Sequence, residues 1–246
     1  ELAWEMIEQL SQAKTLPARW ITMDEAFGRD TALLDRIQQE TDYFYLAEVP
    51  KDTCLWAEEP ETFVPEYEGS GRPPSRRRLA PEAPAPQTVA EIASQLPENA
   101  WSLHSLKEGA KGLIIAEIAI RRMVPVRDGL PGSPVWLVLR RSPADPTDFH
   151  AFLCNAPQDI AHDEMIQVCA LRWPIETMFE QAKQFLGLNE YETRSWFGWH
   201  HHMTLVILAH FFLVRLQRRI QPKVSNLTLP QAILLLKAVL PQPKVD

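Results

Sequence analysis

Cysteine is scarce in this sequence, and the few cysteines are not paired. Cys54, Cys154 and Cys169 are odd in number and far apart, whereas a zinc cage or a disulfide framework needs paired spacings. The sequence also has no Gly-x-Ser-x-Gly elbow, no phosphate-binding glycine loop and no His-Glu-x-x-His segment. An unrelated α/β hydrolase or nuclease therefore has no support. The cysteine usage favours a reducing cytoplasm.

Long apolar runs are lacking as well. The most apolar stretch, Met203 to Val214, is about twelve residues long and is interrupted by His210, whereas a membrane-spanning helix needs roughly 20 apolar residues. We therefore predict a buried helix here and no association with a membrane. The chain opens at Glu1 without an initiator Met or a signal-type apolar run, and we expect it to be a fragment of a longer protein.

Enough apolar material is present for a globular core. The chain has 246 residues, of which 46% are hydrophobic, and a formal net charge of -7. This predicts one large domain or one domain carrying an insertion. The acidic balance argues against a chain coated in basic residues, but net charge averages over segments with different partners. Between residues 165 and 223, seven Lys and Arg residues outnumber four Glu residues.

The first quarter of the chain predicts two parallel strands. Apolar spacing indicates a helix over residues 4–14, and a short β-type run follows at Trp20–Met23. A polar helical stretch from about Asp30 to Glu40 then leads to a second strand at Tyr43–Val49. A crossover of this length implies parallel pairing in an α/β sheet. Asp24 is then at the carboxyl end of its strand, where such sheets bind ligands.

The middle of the chain predicts a loop-rich segment followed by a β-meander. Residues 58–99 are rich in Pro, Glu, Ser and Ala and contain the run Arg76–Arg78, which could contact a DNA backbone or form part of a solvated loop. Three short β-rich runs separated by turn signals follow, at Leu113–Ile120, Val135–Leu139 and Phe149–Leu153. They predict an antiparallel meander inserted into the α/β domain.

Helical periodicity returns in the last third of the chain. We predict helices near residues 163–171, 174–187, 202–219 and 229–239. The chain then divides into three parts, which are a partial core over 1–57, a linker and β-domain over 58–160, and C-terminal helices over 161–246.

The helix that begins near Pro174 separates charge from apolar side chains. Glu176, Glu180 and Lys183 lie close together on one face. The opposite stripe should pack, and it consists of Met178, Phe179, Ala182, Phe185 and Leu186. The charged residues could simply be a solvated helix face with weak ion pairs.

The segment from Arg172 through Leu188, continuing to His200, resembles the signature of DDE transposases of the insertion-sequence-four superfamily, near its seven-hundred-one group. In that superfamily the third catalytic carboxylate is a Glu, with an Arg four residues before it and a Lys seven residues after it. Arg172, Glu176 and Lys183 match these positions. A Tyr normally precedes the Arg by three residues, and Cys169 stands there instead. This departure puts in doubt the DNA contact that the family's tyrosine makes. It does not put in doubt the assignment of the catalytic carboxylate.

The resemblance covers nearly the whole chain in the expected order. Trp20–Gly28 resembles the family's strand that ends in the second catalytic Asp, here Asp24, and Tyr43–Pro50 resembles the next strand. Shorter matches follow at Glu108–Gly112, Trp136–Leu139 and Asn155–Pro157. The resemblance implies an α/β fold with a ribonuclease-H-like core, N-terminally truncated, and an inserted antiparallel β-domain before the Glu helix. The first catalytic Asp would then precede residue 1.

The resemblance also implies the chemistry. Phosphodiester cleavage by two Mg²⁺ or Mn²⁺ ions needs converging carboxylates, because hard cations take oxygen ligands. Asp24 and Glu176 would be the catalytic metal ligands, while Arg172, Lys183 and Arg194 would contact phosphates. The partners would be double-stranded DNA with terminal inverted repeats and target DNA, bound by a homodimer. The alternative is a non-catalytic DNA-binding remnant or inhibitor of a full-length transposase.

Two aromatic features have ordinary explanations. Three consecutive histidines, His200, His201 and His202, point in different directions on a helix and cannot all bind one metal ion. Trp196 and Trp199 could stack on a flipped base, but we predict that they pack in the core.

Overall fold

The chain folds as two compact units, Glu1–Arg172 and Trp173–Asp246. The structure is a computed structural model. It describes residues 1–67, 69, 74–109, 112–171, 173–224 and 227–240. The three-part division of the chain stays a prediction.

The first unit combines a large sheet with helices. Its strands are β1 (Trp20–Met23), β2 (Phe44–Val49), β3 (Cys54–Trp56), β4 (Thr62–Phe63), β5 (Arg78–Leu79), β6 (Gln87–Thr88), β7 (Ser102–Gly109), β8 (Gly112–Arg127), β9 (Leu130–Pro131), β10 (Val135–Ser142) and β11 (Asp145–Cys154). Its α-helices are α1 (Leu2–Ala13), α2 (Glu25–Gly28), α3 (Thr31–Glu40), α4 (Val89–Gln95) and α5 (His162–Leu171). A short 3-10 helix covers Glu98–Ala100.

The predicted parallel pair is confirmed. β1 pairs with β2 in parallel, with Trp20 opposite Phe44 and Thr22 opposite Leu46. The crossover between them is α3, which begins where the Asp30 carboxylate accepts a hydrogen bond from the Leu33 N–H at 3.0 Å. Such an N-cap satisfies a backbone donor that the first helical turn leaves unpaired.

The predicted meander is also confirmed, and it continues the same sheet. The strand order is β1-β2-β11-β10-β8-β3-β6, and every pairing beyond β1–β2 is antiparallel. β8 is longer than the predicted strand Leu113–Ile120. Part of β8 pairs with β7, a strand that was not predicted. The result is a mixed α/β fold with a mostly antiparallel central sheet, which is consistent with a ribonuclease-H-like core.

Both faces of the sheet are covered. One core cluster joins sheet residues such as Tyr45 and Leu137 to Trp4 of α1, Leu34 of α3 and Ile92 of α4. The opposite cluster joins other sheet residues to α5, and its members include Leu46, Val138, Phe152, Met165 and Cys169. Because successive strand residues point to opposite faces, Leu46 and Tyr45 belong to different clusters.

Helix α4 lies inside the segment that we predicted to be loop-rich. Thr88 and Glu91 form a capping box: the Glu91 carboxylate accepts from the Thr88 backbone N–H at 2.7 Å, and the Glu91 N–H donates to Thr88 Oγ1 at 3.2 Å. The pattern Thr-x-x-Glu is a helix-start signal, so the sequence did contain the information that we missed.

The second unit is helical, as predicted. Its helices are α6 (Trp173–Phe185), α7 (Trp196–Ile220) and α8 (Leu229–Val239). α6 contacts α7 through a hydrogen bond from His210 Nε2 to Gln181 Oε1 of 3.0 Å, and the Gln217 side chain of α7 donates to the Leu227 carbonyl at 2.6 Å. Val206 and Leu213 are the buried residues of α7.

Two burial predictions for this unit are wrong. Within Met203–Val214, five large side chains are at least half exposed, namely Leu205, Ile207, Leu208, Phe211 and Phe212. On α6 only Ala182 of the predicted stripe is buried, and Phe179 and Phe185 are 47% and 40% exposed. The physical reason is that each helix is covered on one narrow side only, so apolar composition did not translate into burial.

The length and hydropathy of Trp196–Ile220 alone would allow it to cross a membrane, and 17% of its most apolar window is buried. The absence of a membrane partner stays a prediction.

The turn after β1 depends on Gly28. A Cβ at this position would overlap the backbone carbonyl oxygen of Glu48. We predict that Gly28→Ala lowers the free energy of unfolding by about 1–3 kcal/mol, as overpacking does, measured by urea denaturation followed by circular dichroism. Gly69→Ala is the control, since no described residue lies within 4 Å of the Cβ that it would add, and its φ of +84° alone should cost about 1 kcal/mol. A smaller loss for Gly28→Ala than for Gly69→Ala would contradict this packing.

The three cysteines are free and should differ in reactivity. Burial raises the pKa of the Cys154 and Cys169 thiols to about 12, and only the thiolate is nucleophilic. We predict that iodoacetamide at pH 8 modifies Cys54 alone in the native chain and all three thiols in denaturant, counted by mass spectrometry. The Cys54→Ser variant retains only the two buried thiols. Its modification in the native state would contradict the prediction and show that the core opens readily.

Candidate active site

Asp24 is an exposed carboxylate at the carboxyl end of β1. It is the N-cap of α2: its Oδ1 accepts from the Phe27 N–H at 3.2 Å, and its carbonyl oxygen accepts from the Gly28 N–H at 2.8 Å. Among the described residues, Oδ2 has no hydrogen-bond partner. The cap therefore fixes the orientation of the carboxylate and leaves one oxygen available for a ligand.

The charge next to Asp24 is balanced locally. Arg29 donates from Nη2 to Glu25 Oε1 at 2.5 Å and from Nε to the same oxygen at 3.1 Å. The hydrogen bond to Glu25, together with the negative charge of Glu25, raises the pKa of Arg29. Because the guanidinium is held by Glu25, it does not form an ion pair with Asp24 in the described structure.

Glu48 lies beside Asp24 at the same edge of the sheet, and sequence analysis missed it. Thr22 pairs with Leu46, and the two carboxylates follow two residues later on their strands. The Glu48 side chain is 12% exposed, and its Oε1 is 2.6 Å from His150 Nδ1 of β11. Burial, followed by the charge of Arg140, lowers the pKa of His150. In the tautomer that carries a hydrogen on Nδ1, the ring donates a hydrogen bond to the Glu48 carboxylate. Side chains two residues apart on a strand lie on the same face, so extending the register of the predicted parallel pair by two residues would have found this carboxylate.

The predicted residues of the second unit lie on α6 and before α7. Glu176 is in the first turn of α6, Lys183 is in its last turn, and both are exposed together with Glu180. Negative side chains are stabilising in a first turn and positive ones in a last turn. The exposed charged face is thus confirmed, and it agrees equally with a solvated face and with a functional one.

Arg194 is an exposed residue in the loop before α7. The next residue, Ser195, is the N-cap of that helix and accepts from the Gly198 N–H at 3.0 Å. Arg172 lies outside the described residues. Asp24 belongs to the first unit, whereas Glu176, Lys183 and Arg194 belong to the second. Their convergence on one site stays a prediction.

The carboxylates are suitable ligands for a hard divalent cation. Both Asp24 and Glu176 are exposed, and carboxylate oxygens are what Mg²⁺ and Mn²⁺ prefer. Within the described parts of the chain, no three His, Cys, Asp or Glu side chains are grouped around a possible ion. The donor chemistry of these residues therefore fits the expected metal, and their role as its ligands stays a prediction.

Cys169, at the position of the family's tyrosine, lies inside the first unit. Its side chain is 3% exposed in the cluster that packs α5 on the sheet, and its carbonyl accepts from Arg140 Nη1 at 3.4 Å. A side chain in this environment does not reach DNA. The loss of a phenol-type DNA contact at this position stays a prediction.

The histidine run points in three directions, as predicted. His202 Nε2 lies 2.9 Å from the Gly187 carbonyl, His200 packs edge-on against Trp196 at 4.3 Å, and His201 is exposed. The prediction that Trp196 packs in the core is wrong, since it is 74% exposed and stacks on Trp199 with ring centroids 5.2 Å apart. The reason is that α7 begins at Trp196, so that this residue lies at the open end of the helix.

Part of the chain matches a known protein family. No curated protein matches the chain. Residues 1–113 match the family model described as DDE superfamily endonuclease. The matched part includes Asp24, Gly28 and Glu48, and Glu176 lies beyond it. DDE endonucleases generally use divalent metal ions. The first 113 residues are therefore similar to DDE superfamily endonucleases, and this similarity suggests a nuclease- or transposase-type function.

Proposed function

We propose that this chain is part of a transposase that cleaves and joins DNA at the ends of an insertion sequence, with Asp24 and Glu176 as two of its catalytic carboxylates. The observation that carries the proposal is the position of Asp24. It is exposed at the carboxyl end of β1, oriented by its own helix cap, and lies within the residues that match DDE superfamily endonucleases. Open α/β sheets bind ligands at this edge.

The finer assignment rests on the resemblance of Arg172–His200 to the insertion-sequence-four superfamily, near its seven-hundred-one group. On this assignment, a strand that precedes Glu1 in the parent protein supplies the first catalytic Asp, and the active form is a cytoplasmic homodimer on paired transposon ends. The partners are double-stranded DNA with terminal inverted repeats and target DNA.

The chemistry assigns a separate role to each group. Two divalent ions, Mg²⁺ or Mn²⁺, would stabilise the attacking and leaving oxygens of an in-line displacement at phosphorus. Asp24 presents one oxygen to this site while the other is engaged by the Phe27 N–H. Glu176 contributes a second carboxylate from the first turn of α6. Lys183, Arg194 and Arg172 neutralise phosphates of the bound DNA end, which positions the scissile bond.

The carboxylates are tested by isosteric substitutions in the full-length parent protein. We predict that Asp24→Asn and Glu176→Gln each reduce Mg²⁺-dependent cleavage of DNA carrying the inverted repeats by about 10²- to 10³-fold, because each removes one charge from the site. Asparagine also caps helices well, so Asp24→Asn preserves the start of α2.

Two controls match these substitutions in chemistry and position. Asp30→Asn changes the other N-cap carboxylate of the same segment, and Glu180→Gln changes a carboxylate one turn along α6. Both should retain cleavage within a few-fold. Cleavage that survives Asp24→Asn or Glu176→Gln would refute the assignment. DNA binding by the parent without any metal-dependent cleavage would instead favour a non-catalytic remnant or inhibitor.

The phosphate contacts are tested by the salt dependence of binding. We predict that Lys183→Ala and Arg194→Ala each reduce the slope of log K against log salt concentration by about one unit, because each removes one phosphate contact. Lys183→Arg and Arg194→Lys keep the charge and should keep the slope. The measurement is fluorescence anisotropy with a labelled transposon-end duplex. Slopes equal to that of the wild type for both alanine variants would remove these residues from the DNA interface.

A further inference from the structure

A short two-stranded sheet presents three consecutive arginines on the first unit. β4 and β5 pair antiparallel, with Thr62 opposite Leu79 and Phe63 opposite Arg78. Arg76, Arg77 and Arg78 are all exposed. Together with Leu79 and the turn Asp128–Leu130 they line a recess of about 490 Å³. We call this surface the arginine recess.

The arginines of the recess are not neutralised by the protein. No ion pair or side-chain hydrogen bond engages Arg76, Arg77 or Arg78 among the described residues. Asp128 is the acidic residue of the lining, and it forms no ion pair with them. The neighbouring Arg127 is directed elsewhere, because its Nε donates to Asp35 at 2.8 Å. Three positive charges therefore face one negative charge in the recess.

The sequence around the recess concentrates positive charge in an acidic chain. Residues 69–81 contain four arginines and no acidic residue, while the whole chain has a formal net charge of -7. The net negative charge of the chain disfavours the approach of a polyanion, so local basic sites favour where it binds. Guanidinium groups bind phosphate oxygens in a bidentate manner and are less strongly hydrated than ammonium groups.

The lining also indicates which part of a nucleic acid would be bound. Among the described residues, the lining contains no aromatic side chain for stacking and no Asn or Gln side chain for reading base edges. Arginines in such a setting contact the backbone and fix the position of a duplex without specifying its sequence.

We propose that the arginine recess binds the phosphate backbone of duplex DNA at a surface separate from the strand end that carries Asp24. The choice of DNA as the polyanion rests on the proposed function. The recess adds a second, sequence-independent contact that holds DNA on the sheet domain, whatever sequence the DNA has.

The test is the salt dependence of binding to a fluorescein-labelled 30-base-pair duplex without inverted repeats, measured on the 246-residue chain by anisotropy. Arg76→Ala/Arg77→Ala should reduce the slope of log K against log salt by about two units. Arg76→Lys/Arg77→Lys should retain the slope. The thermal unfolding followed by circular dichroism should be the same for each variant, since these side chains are exposed.

The matched control removes two positive charges elsewhere on the first unit. Lys14 and Arg121 are exposed and have no ion-pair partner among the described residues, and Arg121 lies roughly 20 Å along β8 from Arg127. Asn is tolerated at the positive φ of Lys14, so the control is Lys14→Asn/Arg121→Gln. This variant should keep the wild-type slope.

Three results would overturn the inference. They are equal slopes for the arginine variant and the control, no binding of duplex DNA by the wild type, and displacement of DNA by poly-glutamate at lower charge concentration than by competitor duplex. The last result would assign the recess to an acidic protein. The Asp24 and Glu176 cleavage assay is independent of this surface. A failure of the arginine recess therefore leaves the proposed catalysis intact, and a failure of catalysis leaves the salt slopes interpretable.

Discussion

The parallel pairing of β1 with β2 is the constraint on which the candidate site depends. It sets Trp20 opposite Phe44 and Thr22 opposite Leu46, and so brings the carboxyl ends of both strands to one edge. The turn after β1 then has to pass close to the backbone of Glu48, which leaves no room for a side chain at Gly28. The same turn makes Asp24 a helix N-cap. Packing, backbone hydrogen bonding and the direction of the carboxylate are thus fixed by one local arrangement.

The antiparallel part of the sheet adds to this edge. β11 pairs with β2 and brings His150 within 2.6 Å of Glu48, one strand away from Asp24. A half-buried histidine that is hydrogen-bonded to a carboxylate orients that carboxylate and shields part of it from solvent. The predicted meander is therefore continuous with the strands that carry the candidate site, and its being an inserted domain stays a prediction.

Sequence periodicity predicted the local structure well because its signals are local. The strand at Trp20–Met23, the parallel pair, the charged face of α6 and the divergence of the three histidines all follow from spacing and turn chemistry. Burial was predicted less well. Trp196 and the apolar side chains of α7 are exposed, since composition records that a residue is apolar but not whether a neighbour covers it. The Glu48–His150 pair also escaped prediction, because the two residues are 102 positions apart along the chain.

The central claim is that Asp24 and Glu176 hold the same metal ion in the active protein. The most direct test is Mn²⁺ binding, followed by electron paramagnetic resonance, to the complete transposase that we propose and to its Asp24→Asn, Glu176→Gln and double variants. Two ligands of one ion are coupled, so each single substitution should weaken the binding of the same Mn²⁺ ion. The double variant should then lose less binding free energy than the sum of the losses in the two single variants. Strictly additive losses, or a loss with only one of the substitutions, would contradict the claim.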